Sequence, residues 1–549
     1  MTGRGGGAPA AKQKMMTVAD LIVTRLHAAG VAALFGVPGG GTNLDLIEAA
    51  RRLGMPFVLT ATETAGAIAA IAQAEISGRP GACLTTLGPG VASVVNGVAC
   101  ARLDRAPLIV LTDSHPAGAR DRFAHQRLDH HALLAPMTKF SATITADNAA
   151  EIVDQAIACA IAPPPGPVHV ECPPDVTTMP LTGAGIRNHG SATSNAAQFL
   201  VVGLWETAQS AIGGARKPLL VAGLGARRPA DVTAIRSLCA RHALPAMVTY
   251  KAKGVVPDGD PHFAGVFTNG AIEQRLIDEA DLLIGVGLDP VELLPRPWRS
   301  QQPIVCCGPW PVEARHVPFV AQLIGDVSIA LEQVGDALEQ SAWDLDAVGR
   351  TVATQRDALA ARTGTLTADR VVQIAANAAS SARVTVDAGA HMFPATMLWP
   401  VSEPNRMLIS NGLSTMGFAL PAAIGAALLD QSSPVVALTG DGGLLMCVGD
   451  LLTAVREKLR IITVVFNDRS LSLIDLKQRQ RQYASAGVTI GEVRWTYVAE
   501  GFGMAAHVAT TDAELERALL EALERRGPSL IDARIDPSTY PDTLRAIRG

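Results

Sequence analysis

A strand-like run, Pro434-Val-Val-Ala-Leu-Thr439, enters Gly440-Asp441-Gly442, and a second apolar run, Ile461-Ile-Thr-Val-Val-Phe466, ends in Asn467-Asp468. The residues between read as one amphipathic helix, and two buried strands joined by a helix form a parallel βαβ unit. Both strands then leave the sheet on the same edge. Asp441 is thereby brought to the Asn467-Asp468 pair, although residues 442–466 separate them in the chain. Hard oxygen ligands beside glycine-rich backbone suit a magnesium–diphosphate group. The cation takes a few protein oxygens and completes its shell with phosphate and water, and glycines let backbone N–H groups approach the phosphates. Either Asn467 or Asp468 would face the cation.

The 549 residues are too many for one core. Short Val/Ile/Leu runs alternate with Ala-rich helical stretches in three blocks, which predicts an α/β protein of three doubly wound parallel-sheet domains. The expected bounds are 15–185, 199–345 and 365–549, after a disordered Gly/Ala-rich tail at 1–14. A polar linker is expected at 184–198 and a helical connection at 335–365. Predicted strands include Gly81–Leu84 and Leu108–Leu111 in the first block, Ala280–Leu288 in the second, and Val384–Asp387 and Ser529–Arg534 in the third. The first and third blocks share size and layout, as a duplicated unit would.

Only 18% of residues are charged and the net charge is −5, with no basic run that would suit nucleic acid or an anionic membrane. No apolar run is long enough to span a bilayer. The eight cysteines form no CxxC pair, as expected of reduced thiols in a cytoplasmic protein. Adjacent Cys306 and Cys307 read as strand interior.

The GDG…ND unit resembles the GDG…NN signature of thiamine diphosphate enzymes, of the superfamily that holds acetolactate synthases, pyruvate decarboxylases and benzoylformate decarboxylases. Acetolactate synthase large subunits are the nearest match. The resemblance covers essentially the whole chain and names its domains: pyrimidine-binding, central Rossmann-like and diphosphate-binding. It implies thiamine diphosphate and Mg²⁺ as cofactors, with Asp441, Asp468 and the carbonyl of Ser470 as metal ligands. Asp468 stands where the family has Asn. Gly440, Gly442 and Gly443 would lie against the diphosphate with Asn467 beside them. In Asp387-Ala-Gly-Ala-His391, similar to a DxGxH segment of acetolactate synthases, Gly389, Ala390 and His391 would do the same. Met416 falls where the family wedges an apolar side chain between the two cofactor rings, and the carbonyl of Ser414 would accept from the exocyclic amine. Leu471, Leu473 and Ile474 would form an apolar wall over the thiazolium.

The second half of such a site lies in the first block. Glu63 sits in the segment Thr60–Ala72, where a strand passes into an Ala-rich helix, and a carboxylate is costly there without a partner. The resemblance makes Glu63 the catalytic residue that hydrogen-bonds the pyrimidine. Phe123-Ala-His-Gln126 resembles an active-site segment ending in Phe-Gln, which brings His125 and Gln126 to the substrate; His130 and His131 read as surface residues. The family builds its site across two subunits, which implies a homodimer at least and a tetramer as the common form.

Pyruvate decarboxylases carry acids where this chain has Gly40 (or Gly41) and Ile474. Their absence favours carboligation, in which a 2-oxo acid loses CO₂ and a second carbonyl compound captures the carbanion. The alternatives are a 2-oxo acid decarboxylase or 2-hydroxy ketone lyase, and a non-catalytic cofactor-binding subunit. FAD occupies the central domain of some relatives. Here Gly223-Leu-Gly225 is a lone GxG and the neighbouring flavin segments are poorly matched, so FAD is not favoured. A nicotinamide dehydrogenase built on that GxG would leave the GDG…ND unit unexplained.

Overall fold

The structure is a computed structural model that describes residues 15–119, 122–181, 200–203, 205–313, 317–360 and 364–549. The expected tail at 1–14 and linker at 184–198 lie outside the described residues. Three sheets carry the fold. The first comprises β1 (Leu34–Gly36), β2 (Phe57–Leu59), β3 (Gly81–Thr85), β4 (Leu108–Asp113), β5 (Ser141–Thr143) and β6 (Val168–Cys172), in the order β2-β1-β3-β4-β6-β5. The second comprises β7 (Leu200–Gly203), β8 (Pro218–Ala222), β9 (Ala246–Val248), β10 (Phe263–Val266), β11 (Leu282–Val286), β12 (Ile304–Gly308) and β13 (Phe319–Ile324), in the order β10-β9-β8-β11-β12-β13-β7. The third comprises β14 (Arg383–Val386), β15 (Met407–Ile409), β16 (Val435–Gly440), β17 (Ile461–Asn467), β18 (Ala505–Ala509) and β19 (Ser529–Arg534), in the order β15-β14-β16-β17-β19-β18.

Every pairing is parallel except β7 with β13. The first and third sheets run in the same relative order, second-first-third-fourth-sixth-fifth, so the two blocks repeat one topology. Helices cover both faces of the central strands. These strands are therefore buried along their whole length, which is why continuous apolar runs such as Ile461–Phe466 predict them. Cys306 and Cys307 lie inside β12, and all eight cysteines are unpaired.

Two expectations change. The segment after the GDG is not one helix. Asp441–Cys447 and Asp450–Arg456 are separate helices broken at Val448-Gly449. A Cβ on Gly449 would stand 2.8 Å from the Ala61 methyl, and Asp450 accepts the Ala61 N–H at 2.9 Å, so contact with the first block shapes the break. The connection at 335–365 is helical over Leu345–Leu359 and extended between there and the helix Val327–Ala337.

The duplicated blocks meet through the helices Glu63–Ser77 and Ala419–Leu429, both made mostly of alanine and small residues. Their approach is close enough that a Cβ on Gly425 would come to 2.1 Å from the Ala69 carbonyl oxygen, and the Gln73 amide donates to the Gly425 carbonyl at 3.2 Å. One apolar core consequently runs from the first sheet into the third. Gly425→Ala should therefore lower stability by about 3 kcal/mol, the upper end of overpacking costs. Denaturant unfolding with an unshifted midpoint would show that the contact yields freely.

Candidate active site

The C-terminal edge of the third sheet opens into a cleft of about 210 Å³. Three strand ends build it. After β14 come Gly389, Ala390 and His391; after β16, Gly440 to Gly443; after β17, Asp468, Ser470 and Leu471. Ser414 and Met416, from the loop after β15, complete it together with Leu473 and Ile474. All these predicted residues line one cleft, whereas Asn467 is not among the lining residues. Its side-chain amide donates to Asp532 on β19 at 2.7 Å.

Asp387 organises the floor. Its fully buried carboxylate accepts from the Gly417, Phe418 and Ala419 N–H groups at the start of the helix Ala419–Leu429, and from the Thr439 hydroxyl at 2.6 Å. A Cβ on Gly443 would fall 2.2 Å from this carboxylate, so the turn after β16 closes only around glycine. His391 stacks on Phe466 with ring centroids 4.8 Å apart. Burial holds its imidazole down at about 4, so the ring is neutral, and its Nε2 has no hydrogen-bond partner. A buried polar atom left unmatched beside a cleft is an open valence for a ligand.

Asp441 accepts the Gly442 and Arg469 N–H groups, one on each oxygen and both at 2.7 Å. Asp468 accepts the Ser470 N–H at 3.1 Å and the Ser472 hydroxyl at 2.6 Å. Burial raises both carboxyls, and the charge of Asp468 adds to burial in lifting Asp441 to about 7. Apolar side chains cover the next layer. Over Gly442, an added Cβ would stand 2.7 Å from Leu471 and 3.2 Å from Ile490. Tyr540, the first residue of the C-terminal helix Tyr540–Arg548, also lines the cleft. Burial, then Asp468 and Asp441, push its phenol well above its ordinary range. No sequence signal singles out Tyr540, because its proximity is purely tertiary.

The first-block residues gather at another edge. Glu63 opens the helix Glu63–Ser77 behind the Thr62 cap, half-buried. Its Oε1 stands 3.1 Å from where a Cβ on Gly90 would be, so the Gly88-Pro89-Gly90 turn lies directly against it. Gln126, at φ +56°, packs its carbonyl over Gly88. His125 is exposed, and its carbonyl accepts from His115 Nε2 at 2.9 Å. None of Glu63, His125 and Gln126 lines the cleft of its own chain.

His130 corrects the surface reading. It is buried, with Nδ1 3.1 Å from Glu171 Oε2, and Nε2 accepts the Gly88 N–H at 3.2 Å, which places its proton on Nδ1. His131 is half-buried, its ring nitrogens 2.7 Å from the Ser141 hydroxyl and 2.9 Å from that of Thr143. β6 delivers Glu171 to His130 and β5 delivers Ser141 and Thr143 to His131, and the local sequence carries no trace of either contact.

The raised carboxyl has a measurable consequence. An acid raised on folding stabilises the fold below its ordinary value of 3.8, and that contribution is lost as pH rises through about 7. In chelator, Asp441→Asn should therefore be more stable than the parent at pH 8, by on the order of 3 kcal/mol. The gap should narrow toward pH 4. Unfolding curves that coincide at pH 8 would show that the two carboxylates do not repel.

Comparison with known proteins agrees with this geometry. The C-terminal thiamine pyrophosphate-binding domain of thiamine pyrophosphate enzymes matches residues 387–533, the N-terminal binding domain matches 16–133, and the central domain matches 205–334. The catabolic acetolactate synthase of Raoultella terrigena is 30% identical, over 95% of this chain and 96% of that protein. The acetolactate synthase of Bacillus subtilis is 28% identical over 96% and 94%. A probable 2-ketoarginine decarboxylase, AruI of Pseudomonas aeruginosa, is also 28% identical, over 96% and 95%. Three matched domains in family order, on sheets that bring the GDG and ND segments into one cleft, show that the chain belongs to the thiamine pyrophosphate enzymes and works with thiamine diphosphate to form or cleave carbon–carbon bonds.

Proposed function

We propose that the protein is a Mg²⁺-requiring carboligase that decarboxylates a 2-oxo acid and transfers the acyl carbanion to a carbonyl acceptor, as the name acetolactate synthase describes for its relatives. Relatives of equal identity include a probable decarboxylase, so similarity alone does not choose. The observation that carries the reading is the wall of the cleft. Residues 471–474 bring Leu471, Leu473 and Ile474 to it but no acid that could quench a carbanion by protonation.

The cleft suits the diphosphate end of the cofactor. The unmatched Nε2 of His391 offers a buried contact, and Gly389, Gly440, Gly442 and Gly443 leave the floor bare. Asp441, Asp468 and the Ser470 carbonyl would hold Mg²⁺, whose charge relieves the repulsion between the two carboxylates. We assign the second side-chain ligand to Asp468 because Asp468 lines the cleft and Asn467 does not. Met416 and the Ser414 carbonyl would orient the rings. Thiamine diphosphate, when bound, supplies the sink for the electron pair that departing CO₂ leaves behind. Glu63 would move the proton that activates it, and Gln126 and His125 would meet the substrate.

Glu63 does not line its own chain's cleft, so a second copy would supply it. Exposed Leu445 and Met446, on the helix that follows the GDG, suit such a homodimer interface. The unpaired cysteines suit a cytoplasmic setting. A flavin fits the central domain poorly. In its Gly223-Leu-Gly225 turn the Leu224 N–H is taken by Glu292 at 2.8 Å, the Gly225 N–H by the Gly287 carbonyl and the Ala226 N–H by Gly223, leaving none for a pyrophosphate.

Incubation with pyruvate, Mg²⁺ and thiamine diphosphate should yield acetolactate; acetaldehyde alone would make the protein a decarboxylase. Glu63→Gln should lower turnover by about 10²-fold or more, the scale of lost acid–base catalysis, while calorimetry still detects cofactor binding. Full turnover by that variant would remove Glu63 from the mechanism.

A further inference from the structure

The three blocks meet at a buried ionic cluster that the proposed chemistry does not use. Lys251, from the loop after β9, is 2% exposed by side chain; its Nζ donates to Glu75 at 2.5 Å and to the Ile409 carbonyl at 2.9 Å, and lies 3.7 Å from Asp104. Glu75 also takes Arg227 at 3.3 Å. Two cations thus face two carboxylates out of water, which offsets part of the cost of burying each charge, while burial pushes the Asp104 carboxyl up.

Asp104 is the C-cap of the helix Pro89–Leu103, and its Oδ1 accepts the N–H groups of Asn411, at 3.2 Å, and Gly412, at 2.8 Å. Gly412 rests on that helix end so tightly that a Cβ would fall 2.8 Å from the Leu103 carbonyl oxygen. Further along, Ser410 Oγ accepts the Thr415 N–H at 3.1 Å and touches Cys100 Sγ at 3.4 Å, while the Thr415 hydroxyl donates to Asn96 at 3.2 Å. One helix of the first block therefore grips residues 410–415. The gripped segment needs it. Ser414 is held at φ +55°, a conformation that persists in a non-glycine residue only when its surroundings impose it.

We propose that Asp104, with Lys251 as its counter-ion, is a positioning residue that sets the Ser410–Met416 segment and so places Ser414 and Met416 for the cofactor. This rests on the reading of the cleft given above. Asp104 touches neither cofactor nor substrate. It acts by accepting two N–H groups, so an acceptor of the same shape should replace it and an apolar side chain should not.

The test is calorimetric titration of the full-length cofactor-free protein with thiamine diphosphate and Mg²⁺, alongside its thermal melt. Asp104→Ala should bind at least about tenfold more weakly, and Asp104→Asn, which keeps the Oδ1 acceptor, should recover most of that affinity. Wild-type affinity in Asp104→Ala, or equal losses in both variants, would overturn the proposal. Should Asp104→Ala fail to fold, Ser410→Ala decides: a several-fold loss of affinity at an unchanged melting temperature supports the grip, and none refutes it. A wild type that binds no cofactor would instead sink the reading of the cleft, an outcome separable from the other results.

Discussion

Two helices with almost nothing between them hold this molecule's working parts in place. Glu63–Ser77 and Ala419–Leu429 each connect the second strand to the third in their repeat of the duplicated topology, so they are equivalent elements packed on each other. Small side chains permit the approach, and Gly425 lying against the Ala69 carbonyl shows how little room is left. Cores this tight transmit position rather than absorb it. What each helix carries at its N-terminal end is thereby fixed: Glu63 on one, and on the other the Ser414–Met416 loop with the backbone N–H groups that Asp387 binds.

The buried carboxylates sort by how fully their own chain satisfies them. Asp387 collects four donors and no neighbouring carboxylate, which makes it a structural anchor. Asp104 and Glu75 are matched by Lys251 and Arg227. Asp441 and Asp468 have donors too, but the charge of Asp468 bears on Asp441, and among the described residues no Lys, Arg or His forms an ion pair with either. Repulsion between two neighbouring carboxylates disfavours their doubly charged form. The same logic separates His391, buried with an unmatched nitrogen, from His130, whose two nitrogens are both engaged.

Much of this is legible in the sequence because central parallel strands are buried on both faces and announce themselves as apolar runs. Ser529–Arg534 has the same bounds in sequence and structure. The apolar edge strands Phe57–Leu59 and Met407–Ile409 are read too, and a polar one is lost. Ser141–Thr143 is half-buried and polar, and so carries neither an apolar run nor a clear alternation. The cleft is legible where one βαβ unit makes it, since strand order alone brings Asp441 to Asp468. It is illegible where distant elements arrive. The break at Gly449 answers to Ala61, the turning of Asn467 to Asp532, the burial of His130 to Glu171, and the presence of Tyr540 to the C-terminal helix.

Duplication explains why two turns resemble each other in place but not in chemistry. The turn after the third strand of the first repeat is Gly88-Pro89-Gly90, and the turn after the third strand of the last is Gly440-Asp441-Gly442. In both, glycines let the backbone pass close to a neighbouring group. The middle residue differs. Proline at the first turn of a helix gives up an N–H that would have had no partner there and offers no charge, and Glu63 lies against that turn. Aspartate in the equivalent position adds a second carboxylate opposite Asp468. One fold position therefore carries proline beside the Glu63 carboxylate in one repeat and an aspartate opposite a second carboxylate in the other.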